Sequence, residues 1–288
     1  IVTATGLKAR LAQGGIVVAP GVYDMISARL ADRMGFEALY MTGYGVAASH
    51  LGLPDAGLMS YGDVLARVTA LAGGTRTPIV CDGDTGYGGL LNIRHTVRGF
   101  EAAGAAGIQI EDQEAPKKCG HTTGRRVVPL ADAVRRIEVA VDARAAADFL
   151  IVARTDARTG LGLDEALRRG EAFRRAGADV VFIEAPESED EFARIGQALG
   201  PPLMANMVEG GRSPVLAAET LARHGVRLAI YPASAFLAAT AAMTAIYGQI
   251  KATGTSLPSP VPLAAMADMH QLMGFDDVWA FERKWAEV

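Results

Sequence analysis

Four times along this chain of 288 residues, a helix-like stretch closes on a glycine and runs straight into a short apolar strand. The four are Met34-Gly35-Phe36 before Ala38–Met41, Ala103-Gly104-Ala105 before Ile108–Ile110, Ala176-Gly177-Ala178 before Val180–Ile183, and His224-Gly225-Val226 before Leu228–Ile230. A glycine just past a helix end takes the left-handed conformation that stops the helix and turns the chain. Helix, glycine, strand in repetition is the punctuation of an alternating α/β protein. Filling the gaps gives eight strand candidates, near 16–20, 38–43, 78–83, 107–111, 149–154, 179–184, 202–206 and 227–231. Seven helical stretches separate them, Asp164–Ala176 and Ser188–Leu199 among them, and Ala233–Ala252 follows the last.

Strands such as Phe149-Leu150-Ile151-Val152 are apolar without alternation, which indicates burial on both faces, as in a parallel sheet. Eight such units favour a single closed (β/α)8 TIM-type barrel, a fold of about 250 residues, over an open doubly wound sheet. One barrel domain is expected over 1–288, with a helical tail at 254–288. A composition 50% hydrophobic supports a large core. The net charge of −4 gives no general pull toward nucleic acid or anionic membrane, so a small anionic substrate must be held by local cations or a metal.

Two cysteines, Cys81 and Cys119, are too few for a disulfide scaffold and fit a reducing cytoplasm. No basic stretch with an apolar run and a small-residue cleavage site follows Ile1. Leu228 to Ile250 carries no charge and is long enough to raise a membrane span. Tyr231, Pro232 and Ser234 interrupt it, so a buried strand running into a small-residue helix is expected instead.

Polar residues gather where the strands end. Tyr40, Thr42 and Gly43 close the second, Asp82 and Asp84 the third, Glu111 and Asp112 the fourth, Arg154 and Asp156 the fifth. Glu184, Asn206 and Tyr231 close the last three. In a barrel these positions converge on the mouth where active sites are built. Side chains two apart on a strand share a face, so Asp82 and Asp84, joined by Glu111, form a hard oxygen cluster. It has too few ligands to surround Ca²⁺ and suits Mg²⁺, for which Mn²⁺ could substitute. The plain alternative is an Asp pair capping the Gly-rich turn Thr85–Gly89. Arg154 and Arg125 can each grip a carboxylate by two parallel hydrogen bonds. Glu184 reads as the ion-pair partner of Arg154, and Asn206 offers neutral donors.

Gln113–Pro129 is a long polar connection with the character of a lid. It carries Lys117-Lys118-Cys119-Gly120-His121 and then Gly124-Arg125. Two lysines beside Cys119, with His121 close by, would lower the thiol pKa and help it exchange protons. Cys81, inside a strand, reads as packing. His50, His95, His224 and His270 show no ligand spacing.

Together these segments resemble the isocitrate lyase / phosphoenolpyruvate mutase superfamily, from about Leu11 to the C-terminus. The matching stretches are Tyr40–Gly45, Leu53-Pro54-Asp55, Asp82–Gly88, Ile110–Gln113, Lys117–His121, Val152–Ala157, Phe182–Pro186 and Ala205-Asn206-Met207. The lid resembles that of the carbon–carbon lyase branch, where its Cys is the acid/base residue. By that resemblance Asp82 would ligate Mg²⁺ directly, Asp84 and Glu111 through water, and Asp55 would support the water shell. Thr42, Gly43 and Tyr44, with Arg154, would bind the oxo-acid part of the substrate, and Gly120, Arg125 and Asn206 would complete its contacts. Tyr40 would stand by the forming carbonyl oxygen, with Cys119, His121, Arg154 and Glu184 as the other catalytic groups.

The implied reaction is retro-aldol cleavage of a 2-hydroxy di- or tricarboxylic acid of the 2-alkylmalate or 2-methylisocitrate type. Phosphorus-transferring mutases with a related lid, and oxaloacetate hydrolases, remain as alternatives. Val208-Glu209-Gly210-Gly211 resembles the alkylmalate lyases, whereas Tyr231–Phe236 resembles the methylisocitrate lyases. Oxaloacetate-hydrolysing members tend to have Ser where Pro232 stands, and proline has no donor to hold a hydrated carbonyl. The resemblance also implies a last helix swapped onto a neighbouring subunit, giving a homotetramer of paired dimers. A barrel that only binds a metabolite would have no use for the intact Asp, Glu, Arg and Cys set.

Overall fold

The computed structural model describes residues 6–120 and 122–286. Eight strands close into one parallel barrel in chain order, the first pairing with the last. They are β1 (Val17–Val22), β2 (Leu39–Met41), β3 (Ile79–Asp82), β4 (Gly107–Glu111), β5 (Leu150–Thr155), β6 (Val180–Ile183), β7 (Leu203–Asn206) and β8 (Val226–Tyr231). Each falls on its expected segment.

The glycines that announced the repeat do the work expected of them. At the end of the helix Leu90–Ala102, Gly104 has φ 94°, its N–H donates to the Glu101 carbonyl, and Ala105 N–H donates to Phe100 O at 3.1 Å. The helix Leu163–Arg175 ends the same way, with Gly177 at φ 97° and Ala178 N–H on Phe173 O at 3.1 Å. This pair of bonds satisfies carbonyls that a helix end leaves orphaned, and the left-handed residue between them must be nearly free of a Cβ penalty.

The strands divide their side chains between two environments. Inside the barrel, Val17, Tyr40, Val80, Val152, Phe182 and Leu228 belong to one buried cluster. Outside it, Ile108, Ile110, Ile151 and Ala153 pack under helices together with Phe100 and Ile137. Burial on both faces is why these strands read as continuous apolar runs. Phe182 is fully buried, and truncating such a ring to Ala costs about 3–5 kcal/mol.

The uncharged segment at 228–250 is split as expected: β8 ends at Tyr231 and a helix runs Ser234–Thr253. Among the described residues no helix is long and apolar enough to cross a membrane. The chain forms two compact units, 1–235 and 236–288. The first holds the barrel. The second holds most of the helix Ser234–Thr253 and the helices Met266–Met273 and Phe275–Trp285, and the expected tail at 254–288 lies within it. It exposes Tyr247, Trp279, Phe281 and Trp285.

Candidate active site

The period of two along each strand builds the site. Two residues beyond an inward apolar residue, at the C-terminal end of the strand, stands a buried polar one: Asp82 after Val80, Arg154 after Val152, Glu184 after Phe182, Asn206 after Met204. On β4 the inward pair is Gln109 and Glu111, both buried. Register sets neighbours across the strands, for Asp82 pairs with Gln109 and Glu111 with Arg154. The expected cluster of strand-end groups therefore exists as one constellation at one mouth.

Its acidic part is Asp55, Asp82, Asp84 and Glu111. Asp84 takes a left-handed φ of 48°, rare for a residue with a side chain, and its N–H donates to Asp82 Oδ1 at 3.1 Å. The Lys117 ammonium reaches in from the lid, bonded to Asp55 and 2.5 Å from Asp84 Oδ1. Burial pushes the Asp84 carboxyl up to about 7, against the pull of Lys117 and with Asp82 and Asp55 adding to the rise. Burial likewise raises Asp82, and raises Glu111 well above the usual carboxylate range despite Arg154. Burial works against the Lys117 charge, but Asp84, Asp55, Asp82 and Glu111 outweigh it. Asp82, Asp84 and Glu111 thus share too little positive charge.

Among the described residues no three or more His, Cys, Asp or Glu side chains are drawn around one point as a ready-made ligand set. What the site offers suits a cation that keeps most of its own water: hard oxygen donors only, in carboxylates that resist ionisation until charge arrives. Glu111 Oε1 is buried with no hydrogen-bond partner among the described residues, an orphan that a bound water could satisfy.

Tyr40 Oη donates to Gln109 Oε1 at 3.0 Å, and Gln109 Nε2 donates to Asp82 Oδ1 at 3.2 Å. Burial holds the phenol well above its ordinary pKa, with Asp82 adding to the shift, so Tyr40 stays a donor. Gln109 was not foreseen. The signal was present, since a glutamine between Ile108 and Ile110 shares its face with Glu111. Thr42 is buried and caps the short helix Gly43–Val46. A Cβ on Gly43 would lie 2.8 Å from Asp82 Oδ2, so only glycine lets that backbone approach. Tyr44 is exposed.

Arg154 places Nε and Nη2 on the two oxygens of Asp156, each at 2.9 Å, with Glu111 and Glu184 each 3.4 Å away. Asn206 Nδ2 donates to Glu184 Oε2 at 3.2 Å. Burial opposes the guanidinium charge, but Asp156, Glu184 and Glu111 outweigh it. The expected ion pair of Arg154 and Glu184 is present, while Asp156 takes the bidentate edge.

The two arms of the 113–129 connection are tied by a bridge between Gln113 and Val127, and Gln113 brackets Lys118 through both backbone groups. Cys119 N–H donates to Asp55 O at 3.0 Å. A Cβ on Gly120 would lie 2.5 Å from Arg154 Nη2 and 2.8 Å from Glu184 Cδ, so the lid is closed onto the strand ends. His121 lies outside the described residues. Two expectations are revised here. The Lys117 charge goes to the carboxylates, not to the neighbouring thiol, and Lys118 is exposed. Arg125, expected on substrate, is buried against Asp156 and Thr159. Cys81 is buried within β3, and burial pushes its thiol up beyond any useful range, in keeping with a packing role.

A parallel (β/α)8 barrel whose acidic and arginine-lined mouth lies under a cysteine-bearing lid defines a class of small-acid enzymes. The family model described as phosphoenolpyruvate phosphomutase matches residues 7–251, and the chain belongs to that family, within the PEP mutase/isocitrate lyase superfamily. It is 43% identical to 2,3-dimethylmalate lyase of Eubacterium barkeri over 99% of this chain and 98% of the relative. It is 39% identical to 2-methylisocitrate lyase of Aeropyrum pernix, over 98% and 90%. Oxaloacetate acetylhydrolase, solved with the inhibitor 3,3-difluorooxalacetate, superposes with TM-score 0.92 at 34% identity, covering 98% of this chain and 96% of the other. Phosphonopyruvate hydrolase, solved with oxalate and Mg²⁺, gives 0.88 at 29%, covering 99% and 100%.

Proposed function

We propose that this chain is a Mg²⁺-dependent carbon–carbon lyase that cleaves a small 2-hydroxy di- or tricarboxylic acid, of the 2-alkylmalate or 2-methylisocitrate type. The products are a 2-oxo acid and a carboxylic acid. The observation that carries this is the charge-starved cluster of Asp82, Asp84 and Glu111 beneath a lid that bears Cys119. The lyase names of its two relatives support it.

Asp82 would hold the metal directly, with Asp84, Glu111 and Asp55 around its waters. When bound, Mg²⁺ supplies Lewis-acid polarisation of the substrate's 2-oxygen. Thr42, the Gly43 backbone and Tyr44 receive the half that becomes the oxo acid, with Tyr40, kept protonated, turned toward its oxygen. The Nε–Nη2 edge of Arg154 is committed to Asp156, so its remaining Nη1 donors meet the substrate carboxylate. Asn206 adds an uncharged donor, and Glu184 holds both Arg154 and Asn206 in place. As the carbon–carbon bond breaks, the 2-hydroxyl gives its proton to a carboxylate of the acidic cluster and becomes the carbonyl, the bond's electron pair stays on the leaving half, and the Cys119 thiol delivers a proton to that carbon. The closed lid excludes water that would otherwise compete.

The test is incubation with Mg²⁺ and a panel of 2-alkylmalates, 2-methylisocitrate, isocitrate, oxaloacetate and phosphonopyruvate, following released 2-oxo acid. Cleavage of a hydroxy acid that stops with a chelator and with Cys119→Ser is expected. Turnover of the phosphonate alone would move the chain to the phosphorus-transferring branch, and turnover of oxaloacetate alone to the hydrolases. For the assembly we favour a cytoplasmic homotetramer with the second unit docked on a neighbouring subunit. Its exposed Trp279, Phe281 and Trp285 motivate this, and sedimentation analysis checks it.

A further inference from the structure

Arg125 commits its guanidinium nitrogens to the protein itself. Nε donates to Thr122 O at 3.3 Å, Nη1 to Asp156 Oδ1, and Nη2 to Thr159 Oγ1 at 2.8 Å. Its side chain is 2% exposed and that of Asp156 is 0%. Thr122 belongs to the lid, whereas Asp156 and Thr159 follow β5 on the barrel. The contact therefore fastens lid to barrel.

Asp156 is the shared point. Its Oδ1 accepts from Arg125 and also from Arg154 Nη2 at 2.9 Å, while Oδ2 accepts from Arg154 Nε. Its backbone N–H is held by Asp112 Oδ1 at 2.9 Å. Asp112 Oδ2 in turn accepts from Thr155 Oγ1 at 2.6 Å and from Arg169 Nη1 at 2.9 Å, and Arg169 Nε reaches Glu165 on the same helix, Leu163–Arg175. One carboxylate, anchored rigidly from below, thus receives a guanidinium from the barrel and another from the lid.

We propose that Arg125, Asp156 and Thr159 form the latch that holds the lid shut, and that Asp156 couples closure to the setting of Arg154. Arg125 is then a positioning residue and not a substrate ligand. The fork matters as well as the charge. A guanidinium can meet the carboxylate, the hydroxyl and a backbone carbonyl at once, and an ammonium cannot. The lyase reading supplies the chemistry that closure serves, but the latch itself is tested without turnover.

The experiment follows alkylation of Cys119 by iodoacetamide in the whole protein, with Cys119→Ala to confirm the labelled site, since Cys81 is 1% exposed. Melting curves show that each variant is folded. Arg125→Met should speed labelling by about tenfold or more, the scale for truncating one partner of a buried, hydrogen-bonded charge pair. Thr159→Val should give a smaller acceleration, and Arg125→Lys should lie between Met and the native residue. Asp156→Asn should match Arg125→Met, and the double variant should add little. In turnover, Arg125→Met should lower kcat more than it raises KM. Labelling of folded Arg125→Met within about twofold of the native rate overturns the latch. So does a rise in KM with unchanged labelling, which is the signature of a substrate ligand. Native labelling rates that respond to these variants in a protein that cleaves none of the acids would sink the lyase reading and leave the latch standing.

Discussion

Glu111 and Asp112 are adjacent carboxylates at the end of one strand, and they live in opposite worlds. Asp112, with its partner Asp156, sits on the side where every carboxylate oxygen meets a donor: Arg169, Thr155 and the Asp156 backbone on one, Arg154 and Arg125 on the other. Burial opposes the Asp156 charge, yet Arg154 and Arg125 hold its pKa below the ordinary value. Glu111, with Asp82 and Asp84, faces the mouth, where Glu111 Oε1 has no hydrogen-bond partner among the described residues and burial drives all three carboxyls upward. A satisfied acidic pair is a brace. A charge-starved one is a place where something else must bind.

The sharpest way to break that contrast is to neutralise each side in turn. If Asp82 holds the metal as proposed, Asp82→Asn should lower turnover by about a thousandfold or more, while the metal-free protein melts no lower than the native one. Steady-state kinetics and calorimetric melting check the two halves. Asp112→Ala should do the reverse, destabilising the fold by about 3–5 kcal/mol in urea titrations, because buried Arg169 keeps only Glu165 and both the Thr155 hydroxyl and the Asp156 N–H lose their acceptor. If the two variants behaved alike, the division into brace and binding site would fail.

Lys117→Met removes the ammonium bonded into the acidic cluster. The metal-free protein should lose about 1–3 kcal/mol, and Mn²⁺ affinity, followed by its paramagnetic signal, should change by about tenfold or less. The smallest effect is one of pH. The Asp84 carboxyl is raised from 3.8 to about 7 by burial. A folded-state pKa above the unfolded one contributes stability at low pH, and that contribution is lost as pH rises from 3.8 to about 7. With a chelator present, melting temperature should therefore decline more over that window in the native protein than in Asp84→Asn. Added Mg²⁺ should bind more tightly as pH rises through about 7, releasing protons that calorimetry in two buffers can count.

Much of this was legible from residues alone. The glycines after Ala103 and Ala176 marked helix ends because no other residue sits cheaply at such φ values, and the apolar runs beyond them could only be doubly buried strands. That Asp82, Glu111, Arg154, Glu184 and Asn206 gather at one mouth was legible because strand ends converge in a barrel. What escaped was direction. Nothing in Lys117-Lys118-Cys119 says that the first lysine turns inward to Asp55 and Asp84 while the second stays in water. Gln109 was hidden between isoleucines, and Arg125 looked like a substrate ligand because its partner lies 31 residues away. Such pairings are set by tertiary structure, which local pattern does not encode.

At Gly120 a single hydrogen atom separates the lid's backbone from the Arg154–Glu184 pair. Any larger substituent there acts as a doorstop. A methyl group at that point would wedge the flap ajar while sparing the acids, the guanidinium and the thiol, so Gly120→Ala offers a permanently gaping form in which substrate can enter and be caught before it reacts.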